Sequence, residues 1–149
     1  MTAELVFAEP PSTYDRRPLL VVDASVLAAV LFQEATASAA QALIHGRALH
    51  APALLDFELA NVASSKARRG LTDRDAAGAA LDALSMLDLI RHPAPPASLL
   101  RLAARYGLSA YDAAYLWLAE ALPAPLATFD ARLGEAARRH LAGARSPDA

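Results

Sequence analysis

Four of the sixteen acidic residues in this chain lie in apolar surroundings, where an ionised carboxylate is costly unless it is paired or bound to a metal ion. They are Asp23, Glu58, Asp112 and Asp130. Carboxylates brought within a few ångströms of one another repel, and a bound cation relieves that repulsion. Oxygen ligands in a chain without cysteine or a His-x-x-x-His spacing favour Mg²⁺ or Mn²⁺ over zinc. One or two such ions can bind a phosphodiester, activate a water molecule and stabilise the leaving oxygen.

Two of these acids follow apolar runs, and the sequence leaves a simpler role open for each. Asp23 ends the run Leu19–Val22, and Asp130 ends Leu126–Phe129. Either carboxylate could cap the helix that follows it. Because ligand sites in parallel sheets lie at the carboxyl ends of strands, both positions also suit a functional site.

The other two acids lie on predicted helices. Glu58 falls on a leucine- and valine-rich stripe, where it could form a salt bridge, extend to solvent, or bond to Asn61 one turn later. Asp112 is the only charge between Arg105 and Glu120, and its spacing from the preceding serine also fits a capping box. Tyr115, three residues after Asp112, is expected in the core.

The elements that must position these acids alternate between strands and helices. Apolar runs predict strands at Leu19–Val22, Ala48–Ala51, Leu89–Arg91 and Leu126–Thr128. Helical spacing and capping signals predict helices at Val26–Phe32, Ala37–His45, Leu54–Arg69, Asp73–Leu87, Ala97–Tyr106, Ala110–Ala121 and Ala131–His140. This order predicts an α/β fold whose parallel sheet carries helices on both faces. We expect the tail, Leu141–Ala149, to be unstructured or a weak edge strand, giving four to five strands.

Composition narrows the class of protein further. A chain of 149 residues with 55% hydrophobic and 20% charged residues is expected to form one globular domain rather than a disordered chain. A net charge of −2 excludes a strongly basic nucleic-acid-binding coat, so contact with RNA would need a local patch or metal ions. No apolar run approaches the roughly 20 residues that span a bilayer. Residues 1–18 lack the pattern of a secretory signal, so we expect a cytoplasmic protein with an N-terminal extension at 1–18 and a domain at 19–149.

Four segments resemble, in order, the motifs of PIN-domain nucleases. They are Val21–Ser25, Phe57–Val62, Leu108–Tyr115 and Leu126–Asp130. The pattern is similar to that of the VapC toxins of bacterial VapBC toxin–antitoxin systems, and the resemblance covers roughly residues 19–140. It implies a PIN-like three-layer domain and a Mg²⁺- or Mn²⁺-dependent endoribonuclease.

The resemblance also implies roles for individual residues. Its metal ligands would be Asp23, Glu58, Asp112 and Asp130, supported by the hydroxyls of Ser25 and Thr128 and by Asn61, which matches the asparagine one turn after the family's Glu. Family members usually bind a cognate VapB antitoxin and form homodimers. This chain departs from the family in carrying about 18 residues before the first motif and in ending without a clear apolar strand.

Other readings of the same residues are weaker. A haloacid-dehalogenase phosphatase needs a second Asp two residues after Asp23, where this chain has Ser25. A receiver domain needs an adjacent acid pair and a lysine near the last strands, but the only lysine is Lys66. A non-toxin PIN nuclease and a catalytically silent PIN module that binds RNA or protein stay open. For an antitoxin helix, we expect a groove formed by surplus apolar residues of the two helices between Val26 and Ile44, where Leu27→Glu or Leu31→Glu should weaken binding.

Overall fold

The computed structural model describes residues 17–144, which form a parallel four-stranded sheet flanked by seven helices. The strands are β1 (Leu19–Val22), β2 (Ala48–Pro52), β3 (Leu89–His92) and β4 (Leu126–Ala127). The helices are α1 (Ala24–Leu31), α2 (Ala37–Ile44), α3 (Leu55–Arg68), α4 (Arg74–Leu84), α5 (Pro96–Tyr106), α6 (Ala110–Ala121) and α7 (Ala131–Ala144). The predicted α/β architecture is confirmed.

The sheet is covered on both faces, as its apolar central strand predicts. Successive strand residues point to opposite faces, yet Leu20, Val21 and Val22 of β1 are all at most 2% exposed. From α6, Tyr115 and Leu118 join the same core. A second, smaller cluster joins α5, α6 and α7. Burial on both faces makes β1 the rigid centre of the fold.

The strand order places a crossover point beside β1. Along the sheet the order is β3-β2-β1-β4, so the chain first moves outward from β1 through β2 to β3 and then returns to the other side of β1. Val22 at the end of β1 pairs with Ala127 at the end of β4. Parallel α/β sheets bind ligands in the crevice at the carboxyl ends of such strands. Asp23 and Asp130 follow these two strands.

The C-terminal segment differs from its prediction. Helix α7 continues to Ala144, so the expectation of an unstructured tail or edge strand is wrong for residues 141–144. Leu141 packs against both hydrophobic clusters, and this burial continues the helix beyond His140. Residues 145–149 and most of the proposed extension, residues 1–16, lie outside the described part. Within residues 17–144, no helix is long and apolar enough to cross a membrane.

The prediction of an exposed apolar groove on the first two helices is wrong for Leu27. Leu27 is 0% exposed and belongs to the core, while Leu31 is only partly exposed. The apolar surplus of α1 packs inward because both β1 and α3 need covering. Leu43 of α2, 41% exposed, is the large apolar residue that this segment presents to solvent.

Candidate functional site

Asp23 is held at the end of β1 by two hydroxyl groups. It occupies the N-cap position of α1, but its side chain makes no capping hydrogen bond. Instead, its Oδ2 accepts hydrogen bonds from Ser25 Oγ at 2.8 Å and from Thr128 Oγ1 at 2.7 Å. The residue is 5% exposed. The capping alternative for Asp23 therefore fails, and Ser25 and Thr128 occupy the supporting positions that the motifs predicted.

The same two hydroxyls join the loops that follow β1 and β4. Ser25 Oγ accepts from the backbone N–H of Phe129 at 2.9 Å, and Thr128 Oγ1 accepts from the N–H of Asp130 at 2.9 Å. Each hydroxyl thus donates to Asp23 and accepts from a backbone N–H of the loop after β4. This reciprocal network fixes the position of the Asp23 carboxylate relative to Asp130.

Asp130 takes the capping role considered for it. Its Oδ1 accepts from the backbone N–H of Leu133 at 2.9 Å, so it caps α7, as one alternative predicted. Its Oδ2 accepts no hydrogen bond from residues 17–144, and the residue is exposed. Capping therefore orients the carboxylate without using both of its oxygens.

Glu58 is positioned by a residue that sequence reasoning assigned only to the core. The Tyr115 hydroxyl donates to Glu58 Oε1 at 2.6 Å. Asn61 is exposed and does not bond to Glu58 in the described chain, so that expected contact is wrong. The sequence contains a signal for the contact between Tyr115 and Glu58. A tyrosine buried among leucines needs a hydrogen-bond partner for its hydroxyl, and Glu58 is an acid on an apolar helix stripe that needs a partner of its own.

Asp112 lies in the first turn of α6, three residues after the N-cap Ser109. Its backbone N–H donates to Ser109 Oγ at 3.1 Å, which is one half of the predicted capping box. Burial raises the pKa of the Asp112 carboxyl, and the Ser109 hydroxyl partly offsets this. The charges of Asp130 and Asp23 raise its pKa further, while Arg132 lowers it.

The four acids act on one another electrostatically. Burial raises the pKa of Glu58, the Tyr115 hydroxyl opposes that shift, and the charges of Asp23 and Asp112 add to it. Burial and the bond to Glu58 also raise the pKa of Tyr115 far above its ordinary value, so its hydroxyl stays protonated as a donor. The structure therefore brings the four predicted residues into one electrostatic cluster at the carboxyl end of β1.

The donor chemistry of this cluster suits a hard divalent cation. One oxygen each of Asp23, Glu58 and Asp130 accepts no hydrogen bond from residues 17–144. None of the four acids forms an ion pair with a basic side chain of the described region. In these residues, no three acids or histidines already converge closely enough to enclose an ion.

The repulsion at Glu58 predicts how stability depends on pH. A carboxyl whose pKa is raised by folding binds more protons in the folded state, so stability falls as the pH rises through that window. Glu58→Gln removes the charge but keeps an oxygen to accept from Tyr115. In EDTA at pH 7.5, we expect the variant to unfold at the same urea concentration as the wild type or a higher one. We expect this advantage to shrink as the pH falls through the raised pKa of Glu58, because the wild-type carboxyl then becomes protonated and loses its charge.

Urea titrations at several pH values check this prediction, with Glu135→Gln as a matched control on an exposed face. The control should show no pH-dependent advantage. If Glu58→Gln instead loses stability at pH 7.5, Glu58 contributes to the fold as a charged group and does not act as a repelled one.

Comparisons with known proteins agree with this geometry. The PIN domain family model matches residues 20–139. Ribonuclease VapC3 of Pyrobaculum aerophilum is 36% identical over 121 residues, covering 78% of this chain and 92% of that protein. Ribonuclease VapC9 of Mycobacterium tuberculosis is 38% identical over 122 residues, covering 78% and 90% respectively.

A solved structure extends the similarity to the backbone. The crystal structure of PAE2754 from Pyrobaculum aerophilum superposes with a TM-score of 0.64 at 26% sequence identity, covering 92% of this chain and 98% of that one. The family match includes all four motif segments, and the sheet with its flanking helices agrees with the structural match. This chain therefore belongs to the VapC family of PIN-domain proteins.

Proposed function

We propose that this protein is a metal-dependent endoribonuclease, acting as the toxin of a type II toxin–antitoxin system. The relatives named as VapC ribonucleases support RNA cleavage. The observation that carries the proposal is the Asp23 carboxylate, which two hydroxyls hold at the β1–β4 crossover with one oxygen left without a hydrogen bond from the described chain. A capping aspartate would accept a hydrogen bond from a backbone N–H in the first turn of α1, and the Asp23 side chain does not.

The proposed metal ligands are Asp23, Glu58, Asp112 and Asp130, holding one or two Mg²⁺ ions, with Mn²⁺ as an alternative. Carboxylate oxygens suit these hard ions. When bound, such an ion offsets phosphate charge and lowers the pKa of a water nucleophile. A chain of net charge −2 needs that cation to bring a phosphodiester to an acidic centre.

The protein's own residues prepare this centre. Ser25 and Thr128 keep the Asp23 carboxylate in one orientation, so little conformational freedom remains to be lost on binding. Tyr115 holds one oxygen of Glu58, and the other oxygen accepts no hydrogen bond from the described residues. Burial of Glu58 and Asp112 raises both pKa values, so protons compete with cations at this site as the pH falls.

Magnesium is expected to stabilise the folded protein, because an ion that binds only the folded state raises stability by mass action. At a Mg²⁺ concentration about 100 times its Kd, the gain is about 2.7 kcal/mol. Glu58→Gln should lose most of this gain, whereas Glu135→Gln should keep it. Melting curves recorded with 10 mM Mg²⁺ and with EDTA measure the stabilisation of each variant by the ion. Equal stabilisation of both variants would remove Glu58 from the ligand set.

Cleavage of a mixed RNA pool tests the proposed activity. We expect wild-type protein to produce new RNA ends in Mg²⁺ and none in EDTA, with sequencing of those ends giving the cleavage position. Binding of RNA without new ends in Mg²⁺ or Mn²⁺ would instead identify a catalytically silent PIN module.

The proposed partners are a VapB-like antitoxin and a second copy of the chain. A pocket of four carboxylates attracts a basic side chain, so an inhibiting antitoxin segment should carry Arg or Lys. Co-expression with the protein encoded by the neighbouring gene is expected to yield a complex that does not cleave RNA. A nuclease that no neighbouring protein inhibits would be a PIN nuclease outside toxin–antitoxin systems.

A further inference from the structure

Arginines are concentrated on the surface formed by α5 and α7, although the whole chain has a net charge of −2. Arg138 pairs with Glu135 at 3.4 Å. Four others form no ion pair within residues 17–144: Arg101, Arg105, Arg132 and Arg139. Guanidinium groups whose charge is not paired with a carboxylate are available for an external anion.

Tyr106 lies at the centre of this cluster. The guanidinium carbons of Arg105 and Arg139 lie 5.4 Å and 5.9 Å from the centre of its ring. The Tyr106 hydroxyl lies 2.8 Å from His140 Nδ1, and His140 Nε2 lies 2.7 Å from Glu120 Oε2. This chain of hydrogen bonds holds the tyrosine ring, and both guanidinium groups lie within cation–π distance of it.

Arg132 connects the cluster to the candidate active site. It precedes Arg139 by seven residues, which places both on one face of α7. Its Nη2 donates to the carbonyl oxygen of Gly107 at 2.5 Å, in the loop before α6. Its charge also lowers the pKa of Asp112. The arginines therefore begin beside the acidic centre and continue away from it.

Between them lies a surface recess of about 320 Å³, lined by Tyr106, Arg132, Glu135, Arg139 and two alanines. Its one acid, Glu135, already pairs with Arg138. We name this feature the arginine recess and define it by Arg105, Arg132 and Arg139 around Tyr106. Planar guanidinium groups bind phosphate oxygens in pairs, which suits them to a nucleic-acid backbone.

We propose that the arginine recess binds the phosphates of the RNA strand on one side of the bond to be cleaved. This inference rests on the proposed ribonuclease function. The acidic centre repels a polyanion everywhere except at a bound cation, so the strand needs positive charge close by to stay in place. The arginine recess supplies that charge close to Asp112, on α5 and on α7, the helix that Asp130 caps.

Salt dependence of RNA binding tests the proposal. Fluorescence anisotropy with a labelled 20-nucleotide oligouridylate in EDTA measures binding without cleavage. Each phosphate contact on a single strand contributes about 0.7 to the slope of log K against log salt. Arg105→Gln/Arg132→Gln/Arg139→Gln is expected to reduce that slope by about 2 and to weaken binding at least tenfold at low salt.

Two control proteins separate a local effect from loss of net charge or fold. Arg68→Gln/Arg69→Gln/Arg74→Gln removes the same charge from the α3–α4 end, and Arg68 lies about 15 Å along its helix from Glu58. This control should keep the wild-type slope. The variant Arg105→Lys/Arg132→Lys/Arg139→Lys should also show the wild-type slope, because lysine retains the positive charge. Equal slopes for the recess variant and the wild type would overturn the proposal, as would an equal reduction in the α3–α4 control.

The same proteins distinguish this proposal from the proposed function. If the wild type cleaves the RNA pool in Mg²⁺ but the recess variant binds RNA with an unchanged slope, the nuclease stands and the recess proposal fails. If the salt dependence of RNA binding is reduced in the recess variant but the wild type cleaves no RNA, the proposed binding surface stands and the nuclease proposal fails.

Discussion

Asp23→Asn is expected to lower Mg²⁺-dependent RNA cleavage by about two to three orders of magnitude, the loss typical when one group of a preorganised electrostatic site is removed. The amide oxygen can still accept from Ser25 and Thr128, so the local structure should persist. The charge that offsets a divalent cation is gone. Initial cleavage rates on the mixed RNA pool, measured at saturating Mg²⁺, give the size of the effect.

Asp82→Asn is the matched control for this experiment. Asp82 lies on α4, is exposed, and its side chain forms no ion pair within the described chain. We expect this variant to cleave RNA at the wild-type rate. Both variants should melt cooperatively, and Asp23→Asn in EDTA should be no less stable than the wild type, because repulsion on Glu58 and Asp112 is relieved. Wild-type cleavage by Asp23→Asn would remove Asp23 from the mechanism.

Leu27→Glu is expected to abolish cooperative folding. Leu27 is 0% exposed in the core, so the substitution removes a packed side chain and buries an unpaired charge. The combined cost of several kcal/mol is comparable to the total stability of a typical domain, about 5–15 kcal/mol. Circular dichroism and a urea titration of the purified variant measure the loss. Since α1 begins directly after Asp23, misfolding here would also disorder the candidate site.

Leu43→Glu provides the comparison within the same two-helix segment. Leu43 is 41% exposed on α2, so its charge reaches water, and we expect a stability within about 0.5 kcal/mol of the wild type. A well-folded Leu27→Glu would contradict the placement of α1 against the sheet. Because Leu27 is buried, an antitoxin-binding surface on these helices is expected at exposed residues instead.

The sequence predicted the fold well where local signals and packing agree. The continuous apolar run of β1 indicated a strand buried on both faces, and its register with β4 brings Asp23 beside Thr128. The local sequence pattern does not predict the last turn of α7. Leu141 in that turn packs against residues distant in the chain, and such contacts are not visible in a local pattern.

The candidate site shows the same division. The family resemblance implies a supporting role for Ser25 and Thr128, and in the structure both hydroxyls donate to Asp23. The partner of Glu58 was missed because Tyr115 is 57 residues away, and helical spacing favoured the nearby Asn61 instead. The Tyr115 hydroxyl reaches the carboxylate through the tertiary packing of α6 on β1 and β2, which helical spacing does not show.

A crystal structure of the protein soaked in Mn²⁺ would test the central claim most directly, because the anomalous signal locates the ion independently of any assay. We predict one or two manganese peaks at the carboxyl end of β1, with carboxylate oxygens of Asp23 and at least two of Glu58, Asp112 and Asp130 at ligand distance. The Asp23→Asn crystal, soaked identically, should show a weakened peak or none. Manganese bound elsewhere with no peak at these four residues, in protein that cleaves RNA, would contradict the account.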